Sequence, residues 1–98
     1  MEEFSPHSKL HEVKALVVAG KVRATYLAVL GAAKMGLSFH NMVDVVLGLT
    51  ARDFYKSMTT NADHKIWQDV YRPNTSVGEI YLKLTVIDDV LIVSFKEL

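Results

Sequence analysis

Two β-rich runs, Ile80–Ile87 and Val90–Lys96, are separated only by Asp88 and Asp89. A two-residue polar break between such runs suits a tight β-hairpin turn. Counting outward from a two-residue loop puts Ile87 opposite Val90, Thr85 opposite Ile92, Lys83 opposite Ser94 and Tyr81 opposite Lys96. Strand side chains alternate between faces. One face then carries Ile80, Leu82, Leu84 and Val86 with Leu91, Val93 and Phe95, a continuous apolar surface that the fold must cover. The other carries Tyr81, Lys83 and Thr85 with Ser94 and Lys96. Opposed residues have Cβ atoms roughly 5 Å apart, close enough for Tyr81 and Lys96 to act on one small group. The plainer reading of this second face is a solvated sheet surface with ordinary lysines, and the pattern alone favours it.

The cover comes from the first half of the chain. Met1–Phe4 read as frayed. Ser5 and Pro6 read as the N-cap and first residue of a helix. Leu10, Val13, Leu16 and Val17 follow at helical spacing, and Gly20 suits a C-cap. Lys21–Ala24 reads as a short edge strand. Thr25 caps a second helix, Tyr26–Met35, with Leu27 and Leu30 turned inward and Gly36 ending it. Ser38 caps a third, Phe39–Leu47, with Met42, Val45 and Val46 as its apolar side and Gly48 near its end. Thr50–Asp53 has the spacing of a capping box and predicts a single helical turn. From Phe54 the character changes. Phe54–Thr59 and Lys65–Tyr71 read as strands around a polar Thr60–His64 turn, and Arg72–Gly78 as a loop. Helices first and strands after predict one α+β domain over residues 1–98. Its N-terminal helices pack on one face of a C-terminal antiparallel sheet.

At 98 residues, half of them hydrophobic, the chain can bury a core as one small domain. No apolar run approaches the length of a membrane span, and the acidic Met1–Glu3 start is no secretory signal, so no membrane partner is expected. Without cysteine there is no disulfide and no thiolate metal site, which fits a cytoplasmic protein. Eleven basic residues balance eleven acidic ones. A nucleic-acid binder usually shows a basic excess, so any such role rests here on a local patch.

Four polar residues form the first candidate set. If Phe54–Tyr71 folds symmetrically about Ala62, Lys56 faces Gln68 as Tyr81 faces Lys96. Each hairpin then contributes two polar groups to one sheet, although a slip of one residue would reverse the faces. Such a set suits metal-free cleavage of an RNA phosphodiester. The 2′-hydroxyl must lose a proton, the phosphorane gains negative charge, and the leaving 5′-oxygen needs a proton. Lysines stabilise the charge. A tyrosine, or a lysine of lowered pKa, moves protons, and a glutamine orients the ribose or a base. Arg72 suits a bidentate phosphate grip, or else a salt bridge to Asp69 or Asp63. Tyr55, Trp67 and Tyr71 can stack on unpaired bases, with Trp67 reading better as core. His7 and His11, four apart on the first helix, can share a face, but two ligands make no metal site. His40 reads as surface, and His64 as part of the hairpin turn beside the candidate residues. Asp88 and Asp89 read as a turn and not as an acid/base pair. Phosphate loops, zinc spacings and nucleophile elbows do not occur.

Longer blocks carry a resemblance. Asp53–Thr60, Trp67–Pro73, Tyr81–Lys83 and Val90–Glu97 strongly resemble the MqsR family of bacterial type II toxins. Pro6-His7, Val13-Lys14, Ala19-Gly20 and Val22-Arg23 fit as well, so the resemblance covers nearly the whole chain. It implies a RelE-like α+β fold. It implies an mRNA endoribonuclease (an mRNA interferase) that uses no metal or other cofactor and needs no ribosome. Its substrate would be single-stranded mRNA, with a preference for GC-containing sites. It also implies a cognate antitoxin that holds the toxin inactive and with it represses the operon, DNA being reached only through that complex. In the family the positions of Lys56, Gln68, Tyr81 and Lys96 are associated with catalysis or its support. Met58 and Arg72 lie in the same blocks and, with Tyr55 and Lys83, make up the expected RNA-binding set. Two other readings stand beside it on the residues alone. One is a non-enzymatic module whose polar sheet face binds a protein; the other is an RNA-binding domain that blocks translation by occupancy.

Overall fold

The computed structural model of the chain describes residues 1–60 and 62–98. Asn61, inside the expected Thr60–His64 turn, lies outside the described residues. The elements run β1 (Glu2–Glu3), α1 (Leu10–Val18), β2 (Val22–Ala24), α2 (Tyr26–Lys34), α3 (Phe39–Leu47), a 3-10 turn (Ala51–Asp53), β3 (Phe54–Thr59), β4 (Trp67–Tyr71), β5 (Asn74–Thr75), β6 (Gly78–Ile87) and β7 (Asp89–Glu97). The sheet order is β1-β3-β4-β6-β7-β2, with β5 a short addition on β6. The α+β expectation holds, but the sheet is mixed and not purely antiparallel. β2, the expected edge strand, runs parallel to β7, with Val22 beside Val90 and Ala24 beside Ile92. Among the described residues no helix is long and apolar enough to cross a membrane.

Local signals set most helix ends. Thr25 accepts the Ala28 N–H at 3.1 Å and caps α2. Ser38 and Asn41 form a reciprocal capping box on α3, and the Asp53 carboxylate accepts the Thr50 N–H at 2.7 Å. Gly20 and Gly36 take φ of 80° and 76° just past α1 and α2, the left-handed geometry that stops a helix cheaply. α1 departs from expectation. It begins at Leu10, after Lys9, and not at Pro6. The cause is the buried Asp69 carboxylate, which accepts the His7 and Ser8 N–H groups at 3.0 and 2.9 Å and the Ser57 hydroxyl at 2.6 Å. Those amides are bonded to β4 and open no helix. His7 therefore sits off the helix, stacked on Trp67 at 5.2 Å, and shares no helical face with His11.

The helices bury one face of the sheet. Val13 and Val17 of α1, Ala28 and Ala32 of α2, and Met42 and Val46 of α3 join Ile80, Leu82, Leu84, Val90, Ile92 and Phe95 in one core. α2 does not turn Leu27 and Leu30 inward; they are 73% and 39% exposed. It lies too close to β7 for large side chains. A Cβ on Gly31 would stand 2.0 Å from the Phe95 carbonyl oxygen, so alanines and glycine face the strand. Met1–Phe4 is not simply frayed either: Glu2 pairs with Met58 and Glu3 with Ser57.

The final hairpin is tighter than a two-residue loop. Asp88 alone makes the turn at φ 66°, a region Asp tolerates better than most residues. Ile87 thus pairs with Asp89, and Thr85 with Leu91. Val90 and Ile92, not Leu91 and Val93, fill the core. A bulge between Lys83 and Leu84 then absorbs the slip, so Lys83 faces Ser94 and Tyr81 faces Lys96 as expected. Thr25 anchors the bulged strand by donating its hydroxyl to the Val93 carbonyl at 2.9 Å.

Candidate active site

The sheet face away from the helices is built by register. Lys56 of β3 pairs with Val70 of β4, Val70 pairs with Lys83 of β6, and Lys83 pairs with Ser94 of β7. Paired residues share a face, so this row places Lys56 and Lys83 on one surface. Tyr81 and Lys96 pair two residues along β6 and β7, on the same side. Met58 and Gln68 pair two residues the other way along β3 and β4. The expected Lys56–Gln68 pairing does not form, because the β3–β4 turn is centred on Asp63 and not on Ala62. Thr60 and Asp63 are tied there by two 2.8 Å hydrogen bonds. The resulting displacement is even, so Lys56, Gln68, Tyr81 and Lys96 still share a face.

The charges on this face are held in distinct ways. The Lys56 ammonium lies 2.6 Å from the Glu2 carboxylate, and its side chain is only 20% exposed. That hydrogen bond holds Lys56 above the ordinary lysine value, against a smaller lowering by burial. Lys96 is exposed, with its ammonium 5.3 Å from the centre of the Tyr81 ring, a cation–π arrangement. Lys83 is half-buried. Burial first, and then the ammonium groups of Lys96 and Lys56, lower its pKa. Three cations therefore act on one another across the middle of the sheet, and a bound anion would relieve that repulsion.

The remaining RNA-binding candidates line one edge of this surface. β3 bulges between Phe54 and Lys56. The extra residue, Tyr55, is 44% exposed, and its ring lies 5.4 Å from the Lys56 ammonium and 5.0 Å from the Arg72 guanidinium. Arg72 is tied to neither Asp69 nor Asp63; its partner is Glu79 at 3.6 Å. Met58 stands beside Gln68. Trp67 packs against His7 on the helix side, away from the candidate residues, and Tyr71 is buried in the core. Among the described residues, no three His, Asp or Glu side chains gather as metal ligands would. Glu2 joins this face without a signal in the sequence. Nothing local marks it, since its partner is 54 residues away.

The family described as "Motility quorum-sensing regulator, toxin of MqsA" matches residues 5–97. A curated relative, the mRNA interferase toxin MqsR of Escherichia coli (strain K12), is 60% identical over 97 residues, 99% of each chain. The match runs through every strand of the polar face from β3 onward, and the chain belongs to the MqsR toxin family.

Proposed function

We propose that this protein is the toxin of a type II toxin–antitoxin pair, an endoribonuclease that cuts single-stranded mRNA in the cytoplasm and so stops translation. The observation that carries this reading is the shared face of Lys56, Gln68, Tyr81, Lys83 and Lys96, open to solvent opposite the helices. Family membership supports it. So does the printed name of the relative, which is called an mRNA interferase. The cleavage is metal-independent, needs no ribosome and favours GC-containing sites. Lys56 or Lys96 stabilises the charge that develops on the phosphorane, as a positioned point charge does. Tyr81 moves a proton or orients the scissile phosphate, and Gln68 positions the ribose or a base. Tyr55, Met58, Arg72 and Lys83 hold the flanking RNA. An antitoxin of the kind the family description names, MqsA, restrains the activity and links the pair to DNA for autoregulation.

The test is turnover. Purified protein is given a defined single-stranded RNA in excess EDTA, without ribosomes, and the cut ends are mapped. The reading expects several RNA molecules cut per protein at recurring positions. Inhibition of translation that saturates at one protein per RNA, with the RNA intact, would point instead to an occupancy blocker. A folded protein that neither cuts nor binds RNA would leave only a protein-interaction module.

A further inference from the structure

The four candidate residues leave one role unfilled. Cleavage needs a group that takes the proton from the 2′-hydroxyl, and an ammonium cannot take it. Lys56 is held charged by its partner. That partner, Glu2, is a carboxylate on the polar face. β1 pairs with β3 so that Glu2 stands opposite Met58, on the side of Gln68 and Lys56, while Glu3 pairs with the buried Ser57 and faces the other way. Backbone pairing extends past it, the Thr59 N–H donating to the Met1 carbonyl at 3.1 Å. The contact to Lys56 is 2.6 Å, so the carboxylate is already placed at one of the cations proposed for the phosphorane. Among the described residues, no other carboxylate forms an ion pair with Lys56 or Lys96.

Resting on the endoribonuclease reading, we propose that Glu2 is a catalytic residue, the proton acceptor for the attacking 2′-hydroxyl, and that β1 is part of the active site. As the 2′-oxygen forms its bond to phosphorus, its proton passes to the Glu2 carboxylate. The Lys56 ammonium, freed from full charge pairing as Glu2 is neutralised, turns to the phosphorane oxygens. The bond from phosphorus to the 5′-oxygen then breaks, and that oxygen takes a proton from the Tyr81 phenol. The products are a 2′,3′-cyclic phosphate and a 5′-hydroxyl, with no net proton consumed. Solvent returns the proton from Glu2 to Tyr81. The charged and titratable groups around the pair are Lys56 and Tyr55 on β3 and Tyr81 on β6, with Lys83 of β6 and Lys96 of β7 beyond.

Glu2→Gln keeps an oxygen to accept from Lys56 but removes the basic carboxylate. The experiment measures single-turnover cleavage of a short RNA against pH for the natural protein, Glu2→Gln and Glu2→Asp. Binding to the same oligonucleotide carrying a 2′-deoxy group at the cut site is measured alongside. The expected result is a loss of roughly 100-fold or more in the cleavage rate of Glu2→Gln, with binding of the deoxy analogue unchanged or tighter. The acid limb of the natural pH–rate profile disappears, and Glu2→Asp recovers part of the rate. Glu2→Gln cutting within a few-fold of the natural rate with the same pH profile would overturn the proposal while leaving the endoribonuclease reading intact. Equal losses in binding and cleavage would also overturn it, since Glu2 would then only shape the RNA surface. If the natural protein itself cuts nothing, the reading beneath the proposal fails.

Discussion

Lys83, which we propose holds RNA, works against stability. It is half-buried between two other ammonium groups, and its pKa is lowered. The folded state therefore holds this proton less tightly than the unfolded chain, and the residue's contribution becomes more favourable as pH rises toward 10.5, the ordinary lysine value. Lys83→Met removes the charge and keeps the stem. It should raise the melting midpoint at neutral pH only slightly, because solvent screens a partly exposed ammonium. RNA binding should weaken, and the slope of log affinity against log salt should fall by about 0.7. Calorimetry and a salt titration check both. Tyr71 makes the opposite case, a polar group with no role on the open face. Its hydroxyl is buried without a hydrogen-bond partner among the described residues, and burial, helped by Asp69, pushes the phenol up from 10.0 to about 12. A raised pKa means stability is full below pH 10 and is lost as pH rises toward 12, because the unfolded chain ionises first. Tyr71→Phe should gain about 1 kcal/mol at neutral pH and flatten that alkaline loss, as unfolding followed against pH would show. Neither feature is legible in the sequence. Lys83 was found by alternation, but its burial depends on strands that meet it only after folding. Tyr71 alternates like its neighbours and differs only in what lies above it.

Elements were read best where the signal is local. Thr25 and Ser38 cap their helices as expected, and Asp53 closes back onto the Thr50 N–H, because each cap and its amide lie three residues apart. The misplaced helix features involve distant partners. Pro6 opens no helix because Asp69, some sixty residues on, takes the His7 and Ser8 amides. Leu27 and Leu30 face outward because α2 lies against β7 at Gly31, a contact without trace in the helix's own periodicity. Gly31→Ala should therefore drive α2 off the strand and cost about 1–3 kcal/mol, read from denaturant unfolding. A variant as stable as the natural chain would mean the helix shifts freely. The two hairpins survived imperfect counting for different reasons. In the first, the error was two residues, and an even shift keeps every side chain on its face. In the second, the turn slipped by one and a bulge slipped back. The polar face was thus recovered, while Val90 and Ile92 were assigned to the wrong side of the sheet.

The whole molecule divides its work by sheet face. Helices, apolar strand residues and the Asp69 network occupy one side; lysines, Tyr81 and Gln68 occupy the other. A net charge of zero does not prevent a cationic face, because the carboxylates beside it are held by cations, Glu2 by Lys56 and Glu79 by Arg72. The class of fold and the membership of the open face were legible in alternation and in the resemblance. The role of β1 was not, because two residues carry no periodicity. The role proposed for this face is to break RNA. The most direct measurement is the single-turnover cleavage rate of one defined RNA in excess EDTA, compared among the natural protein, Lys56→Ala on the open face and Lys14→Ala on α1. Lys56→Ala is expected to lose at least about 100-fold in rate with its melting midpoint nearly unchanged, while Lys14→Ala cuts normally. Equal cleavage by all three proteins, or none by a folded natural chain, would contradict it.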